Sequence, residues 1–186
     1  MLNGTPSTAE RIAEDKDQIE LQAAAGAPPF APRFVLDCHL GRLTALLRML
    51  GYDSFYRNDL GDDEAVAILT VDERILLTRD RHLLMRKAVQ LGYCPRSLNP
   101  ADQLREVVRR FDLQDFRPCS RCLRCNTLLE PVGKESILSR LEPLTARYFE
   151  TFSTCRSCRR IFWQGSHYDH MLNVVNQLRA DSAQRE

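Results

Sequence analysis

The sequence predicts an α/β domain, a parallel sheet flanked by helices, followed by a small metal-stapled module. Three observations carry this expectation. From Phe34 to Phe111, short apolar runs alternate with segments of helical periodicity, the pattern of successive strand–helix units. Beyond them stand two C-x2-C pairs, Cys122/Cys125 and Cys155/Cys158, with 29 residues between the pairs. Each such turn aims two thiolates at one point, and two turns complete the tetrahedral sulfur shell that Zn²⁺ accepts. Finally, 186 residues with a 44% hydrophobic share suffice for one ordinary core plus an appendage.

Residues 1–29 are rich in Ala, Glu and Gln and close on Gly26-Ala27-Pro28-Pro29, which reads as a flexible leader. The first domain is expected over residues 30–116. Phe34-Val35-Leu36 is a short strand ending at Asp37. Leu40, Leu43, Leu46, Leu47 and Leu50 recur at helical spacing, and Gly51 stands where a glycine commonly terminates a helix. Tyr52 to Tyr56 reads as a second strand, and Asp63 to Leu69 as a helix with an acidic first turn. Arg74 to Thr78 is the clearest buried strand, and Asp80 follows it. The pattern then predicts a helix from Arg81 to Leu91, a weak strand near Tyr93, and a helix from Pro100 to Phe111. The metal module runs from about Arg117 to Tyr168, and Met171 to Leu178 reads as a closing helix. Module and helix together span 117–178, leaving a tail at 179–186.

The formal net charge of +1 gives no global attraction to polyanions. Its distribution is uneven, however. Residues 117–160 hold nine Arg/Lys against four Glu, whereas residues 31–116 balance at thirteen and thirteen. Phosphate affinity comes from clustered cations, so the cysteine module is the candidate for RNA contact, with an ordinary solvated surface as the competing account. Seven cysteines without a secretory signal fit a reducing compartment, the cytoplasm, better than a disulfide framework. No apolar run approaches a membrane span.

Ligands of a parallel α/β sheet bind beyond the carboxyl ends of its strands. Asp37 and Asp80 each follow a predicted strand, and they converge if those strands are neighbours. Asp62, Asp63 and Glu64 could close the same cluster from the intervening helix. Oxygen donors so placed suit Mg²⁺ or Mn²⁺, which activates water and offsets charge on phosphoryl oxygens. A plainer account is that Asp after a strand caps the next helix, and that Asp63 does only that.

The stretch Arg33-Phe34-Val35-Leu36-Asp37-Cys38-His39-Leu40-Gly41-Arg42-Leu43, with Leu47 to Asp53 after it, resembles the opening of the Mut-seven C-terminal RNase domain. Arg74 to Asp80 is similar to that family's second signature. Arg121-Cys122-Leu123-Arg124-Cys125-Asn126 and Trp163 to Tyr168 are similar to its zinc-ribbon segments. The resemblance covers roughly residues 33–170. It implies a PIN-like fold with a zinc ribbon, and metal-dependent RNA hydrolysis by acidic residues. Carried over by position, Asp37, Asp63 and Asp80 form the catalytic Mg²⁺/Mn²⁺ site, with Asp62 as an alternative third ligand and Asp102 as a candidate fourth. Structural Zn²⁺ falls to Cys122, Cys125, Cys155 and Cys158. Cys38, where the family pattern leads one to expect a small residue such as Ala, and Thr70 depart from it in minor ways.

Arg42, Arg79 and Arg81 stand near enough in sequence to grip substrate phosphate, and Thr78 to hydrogen-bond a metal ligand or phosphate. Cys119 extends the C-x2-C spacing and makes the first ligand pair ambiguous. His167 and His170 form an H-x2-H pair that could bind metal, close the ribbon, or (His167) face RNA beside Trp163 and Tyr168. His39 and His82 could assist in the cleft, and Cys38 and Cys94 read as small buried residues. Besides the ribonuclease, two other classes fit: a non-catalytic RNA-binding protein with an inactive PIN-like site, and an iron redox protein using the four cysteines. A protein partner or inhibitor is compatible with the sequence, which identifies none.

Overall fold

The computed structural model describes residues 31–183; the expected leader at 1–29 and the last residues of the tail lie outside them. A parallel sheet is formed by β1 (Arg33–Leu36), β2 (Asp53–Phe55), β3 (Ile75–Leu77) and β4 (Gly92–Tyr93), in the order β2-β1-β3-β4. Phe34 pairs with Ser54 on one side and with Ile75 on the other. Both faces of the central strands are covered, which is why those strands read as unbroken apolar runs. Phe34, Leu36, Ile75 and Leu77 pack with α1 (Gly41–Met49) and α4 (Pro100–Arg110). Val35 and Leu76 face the other way, onto Ala65 and Leu69 of α2 (Asp62–Asp72) and Leu83 of α3 (Arg81–Leu84).

The second unit is an antiparallel sheet of β5 (Leu129–Val132), β6 (Phe152–Cys155) and β7 (Ile161–Trp163), ordered β5-β6-β7. Two short helices, α5 (Lys134–Ile137) and α6 (Pro143–Tyr148), lie between β5 and β6. The closing helix α7 (Ser166–Ala183) is longer than the sequence pattern foretells, and it returns to the first domain. Its Val175 and Leu178 are buried in the same core as α1 and α4. The helix expected over Arg81–Leu91 is likewise different, since α3 stops at Leu84. β4 begins at Gly92, where a Cβ would lie 2.6 Å from Leu84 Cδ2, so the strand passes the end of α3 at a distance that favours glycine.

Gly51 ends α1 as its position predicts. With φ of 99°, it lets Gly51 N donate to Arg48 O and Tyr52 N to Leu47 O, the paired bonds of a Schellman turn. A helix end still leaves carbonyls unpaired. Here the chain entering the cysteine module supplies the donors: Arg117 N to Leu50 O at 2.8 Å and Cys119 N to Met49 O at 3.2 Å. A Cβ on residue 51 would sit 2.6 Å from Arg117 O, so glycine is required twice over.

Edge strand β2 is covered by the first cysteine turn. Ser54 N donates to Asn126 Oδ1 at 3.0 Å, and Asn126 Nδ2 donates to Asp53 Oδ1 at 2.8 Å. Arg48 is 5% exposed and gives Nε and Nη2 to Ser54 O, and Nη1 to Leu123 O and Arg124 O. Arg74 and Arg121 complete the seam on Asp53, at 2.6 and 3.5 Å. Burial pushes the Asp53 carboxyl up, but hydrogen bonds from Arg74 and Asn126 and the charges of Arg74 and Arg121 outweigh it and hold it below the ordinary range.

Two predictions follow from this seam. Arg48→Met keeps the apolar bulk but leaves the buried Ser54 carbonyl and two part-buried ones short of donors, and should destabilise the protein by roughly 2–4 kcal/mol in urea denaturation. Asp53 has a depressed folded pKa, so its contribution is complete above an unfolded value of about 4 and lost as pH falls below it. The stability gap between wild type and Asp53→Asn should be present at pH 7 and narrow as unfolding is followed to pH values below the ordinary carboxylate range.

Candidate functional site

Two groups of side chains stand apart in chemistry and place. The first is the sulfur cluster. Cys122 and Cys125 belong to the turn that leads into β5, and Cys155 and Cys158 to the turn between β6 and β7. Their Sγ atoms all lie within 4.8 Å of one another, with Cys122 and Cys158 at 3.7 Å. Thr127 Oγ1 and Ser157 Oγ, 2.7 Å apart, tie the two turns together. Four thiols this close cannot all ionise without a cation. Burial raises Cys122 and Cys125, whereas at Cys155 the N–H groups of Ser157 and Cys158 outweigh burial and bring the thiol down to about 7. A divalent ion removes the repulsion, and an all-sulfur tetrahedral set suits Zn²⁺. Cys119 lies outside the cluster, and the first pair within it is Cys122 and Cys125. His170 is also outside it, and the side chain of His167 is not among those described.

The second group is acidic and sits at the carboxyl end of the parallel sheet. Asp37 follows β1 and Asp80 lies just past β3, and these strands are direct neighbours. Asp37 is 8% exposed. Its Oδ1 accepts from His39 N at 2.8 Å, and its Oδ2 from Arg79 N at 2.9 Å and from the Thr78 hydroxyl. The same Thr78 oxygen accepts from Asp80 N at 2.9 Å. Thr78 is fully buried, so its hydroxyl ties the Asp37 carboxylate to the Asp80 backbone from behind and has no surface to offer a substrate. Asp80 also caps α3 through its bond from His82 N at 2.8 Å, so the helix-cap account of this residue is correct as far as it goes.

Asp63 is differently placed. It opens α2 with Asp62 and Glu64, and its side chain is 96% exposed. It pairs with Arg86, whose Nη2 is also 3.8 Å from Asp62 Oδ2. Among the described residues, only the four cysteines gather three or more potential ligand atoms within 4.8 Å; the three aspartates do not. Asp102 turns to Arg105 at 2.7 Å on the surface of α4. Arg42 and Arg79 are exposed and line, with His39, a cleft of ≈ 400 Å³; Arg81 is exposed at the start of α3. His39 Nδ1 is 3.6 Å from Asp37 Oδ1. Cys38 is exposed beside His39, not buried as its size leads one to expect, and Cys94 is half-buried.

A larger cleft of ≈ 530 Å³ opens at the other end of the sheet, lined by Arg33, Asp53, Asp115 and Arg121 among others. It lies where the strands begin, away from the acids, and parallel sheets bind ligands where strands end.

A model of the Mut7-C RNAse domain family matches residues 32–175. The chain belongs to this family. No curated protein and no solved structure matches it. The Mut7-C match runs through both units, so the acidic edge and the sulfur cluster belong to one domain type. Within this Mut7-C chain, the residues that sequence reasoning passed over are Arg48, Asp53 and Asn126. Each is polar, each meets a partner more than 20 residues away, and no local spacing signals such contacts. Arg86 was passed over for the same reason.

The sulfur cluster yields a direct test. The purified protein should carry a single zinc ion by elemental analysis, and Cys119→Ser should keep it. Cys155→Ser should lose most of it, together with amide-exchange protection in β5, β6 and β7.

Proposed function

We propose that this chain is a PIN-like ribonuclease that uses Mg²⁺ or Mn²⁺ at its acidic edge and a zinc ribbon to hold RNA. The observation that carries the reading is the placement of Asp37 and Asp80 on adjacent strand ends, with one buried hydroxyl bonding the Asp37 carboxylate and the Asp80 backbone N–H. The donor set fits the ion in kind: carboxylate oxygens at a solvent-accessible edge, where a cation, the Arg86 guanidinium, is already drawn in. Asp37 and Asp80 would hold the metal, and Asp63 would complete the set from α2 with Asp62 beside it. When bound, such an ion lowers the barrier to attack by water and offsets charge on the phosphoryl oxygens.

The chain's own residues do the rest. Thr78 fixes the Asp37 carboxylate, acting as a positioning residue and not as a substrate contact. Arg42 and Arg79 would grip a phosphate in the cleft beside His39, and Arg81 a neighbouring one. Hydrolysis would form a bond from water oxygen to phosphorus and break the bond to the leaving ribose oxygen.

The ribbon supports the RNA-binding part of the reading. Of its nine cations, Arg117, Arg121, Lys134 and Arg156 pair with carboxylates. Among the described residues, Arg124, Arg140, Arg147, Arg159 and Arg160 do not, and all five are exposed. Tyr148 is 66% and Trp163 41% exposed, and the Trp163 ring lies 6.4 Å from that of Phe149. Arginines without a carboxylate partner, beside exposed rings, suit phosphates and unstacked bases. Among the described residues, no helix is long and apolar enough to cross a membrane.

The deciding assay is cleavage of end-labelled single-stranded and hairpin RNA with Mg²⁺, Mn²⁺ or EDTA. Cleavage should require metal and fall by on the order of 100-fold or more in Asp37→Asn and Asp80→Asn. Thr78→Val should cost roughly 10-fold or more through loss of the positioning bond. Retained RNA binding without any cleavage, in zinc-loaded protein, would establish the non-catalytic binding protein instead.

A further inference from the structure

The early end of α3 has a consequence at the acidic edge. Because the helix stops at Leu84, the following turn carries Arg86 against the start of α2 instead of onward along a helix. Its guanidinium bonds to Asp63 and lies 3.8 Å from Asp62 Oδ2. The charge of Asp80 acts on it as well. Arg86 thus faces acids from two elements, the two aspartates that open α2 and the one that follows β3. No other basic side chain is paired with Asp62 or Asp63 among the described residues.

We infer that Arg86 is the resident counter-cation of the acidic edge, and that a divalent ion recruits Asp63 or Asp62 only by displacing it. The inference rests on the reading of that edge as a metal site. It accounts for an otherwise awkward fact: the aspartate best matched to a third ligand is turned to a guanidinium, outside ligand distance of the others. Like charges so near need a neutralising partner, and in the absence of metal Arg86 provides one. The pair is weak enough to yield. Asp63 is 96% and Arg86 38% exposed at the side chain, and exposed pairs of this kind contribute little and are screened by salt.

Competition of this form sets metal affinity and makes it depend on residue 86. Removing the competitor frees two carboxylates at no cost to the core, since Arg86 reaches them across a solvent-facing turn. Arg86→Gln should therefore bind Mn²⁺ more tightly, by on the order of 3- to 10-fold, the range expected for loss of exposed pairs. Arg86→Lys keeps a cation in place and should stay near wild type.

The test is a titration of Mn²⁺ into full-length, zinc-loaded protein, with free Mn²⁺ read from its electron paramagnetic resonance signal. Wild type, Arg86→Gln, Arg86→Lys and the double variant Arg86→Gln/Asp63→Asn are compared. Tighter binding in Arg86→Gln that is lost in the double variant supports the inference. Equal or weaker binding in Arg86→Gln, with wild type binding measurably, would overturn it while leaving the metal site intact. No Mn²⁺ bound by any variant would remove the metal reading itself, and the inference with it.

Discussion

The guanidinium of Arg48 is the contact on which the arrangement of the molecule depends. It is buried, and a buried cation is tolerated only when its donors are used. Its bonds go to Ser54 on the sheet edge and to Leu123 and Arg124 in the first cysteine turn, so one side chain spans both units. Burial lowers its pKa, and the neighbouring charges of Cys122, Cys125 and Asp53 act the other way. A zinc-tetrathiolate carries net negative charge, which places Arg48 where a cation is favoured. The open end of α1 and the unpaired edge of β2 are closed by the same segment, residues 117–126. An exposed strand edge invites aggregation, and covering it with a metal-fixed turn removes that hazard.

This seam also separates two groups of donor atoms, one of sulfur and one of oxygen, by chemistry and by place. The sulfur set favours a borderline-soft ion and has a structural geometry with all four positions filled. The oxygen donors stand at the far ends of the strands, on a surface open to solvent, and suit a hard ion. A Zn²⁺ ion in the sulfur set would hold the second unit to the sheet, and the proposed site at the acidic edge would stay free for exchangeable metal. Val175 and Leu178 of α7 strengthen the union by closing the core of the first domain from the far end of the chain.

How much of this was legible depended on whether a contact is local. The strands at Phe34–Leu36 and Ile75–Leu77 could be read because sheets covered on both faces need continuous apolar runs. Gly51 could be read because a helix end with positive φ has a local sequence signature. The four cysteines could be read because their spacing is itself the chemistry. Arg86 and the short α3 could not, because the pairing of Gly92 with Leu76 and the contact of Arg86 with Asp63 are tertiary and leave no mark between Arg81 and Leu91. Thr78 was visible as a residue near the acids, but its burial made it a support behind them, and only the fold fixes on which side of the strand it lies. Asn126 reads as a turn residue with φ of 66°, while its side chain completes the edge of β2.

The contrast between Asp37 and Asp63 explains how one sheet edge can be both stable and receptive. A rigid cluster of three bare carboxylates would repel itself and weaken the fold. Here Asp37 is fixed by three donors from residues 39, 78 and 79, so its geometry is paid for by the backbone. Asp63 sits on a helix start that tolerates negative charge, with a side chain free to turn. Asp80 lies between these extremes, exposed but anchored as a helix cap. Under the proposed metal site, a graded set of this kind would give a cation two preplaced ligands and a third that arrives with it. Fixing all three would demand a permanent ion, and freeing all three would leave no site to find.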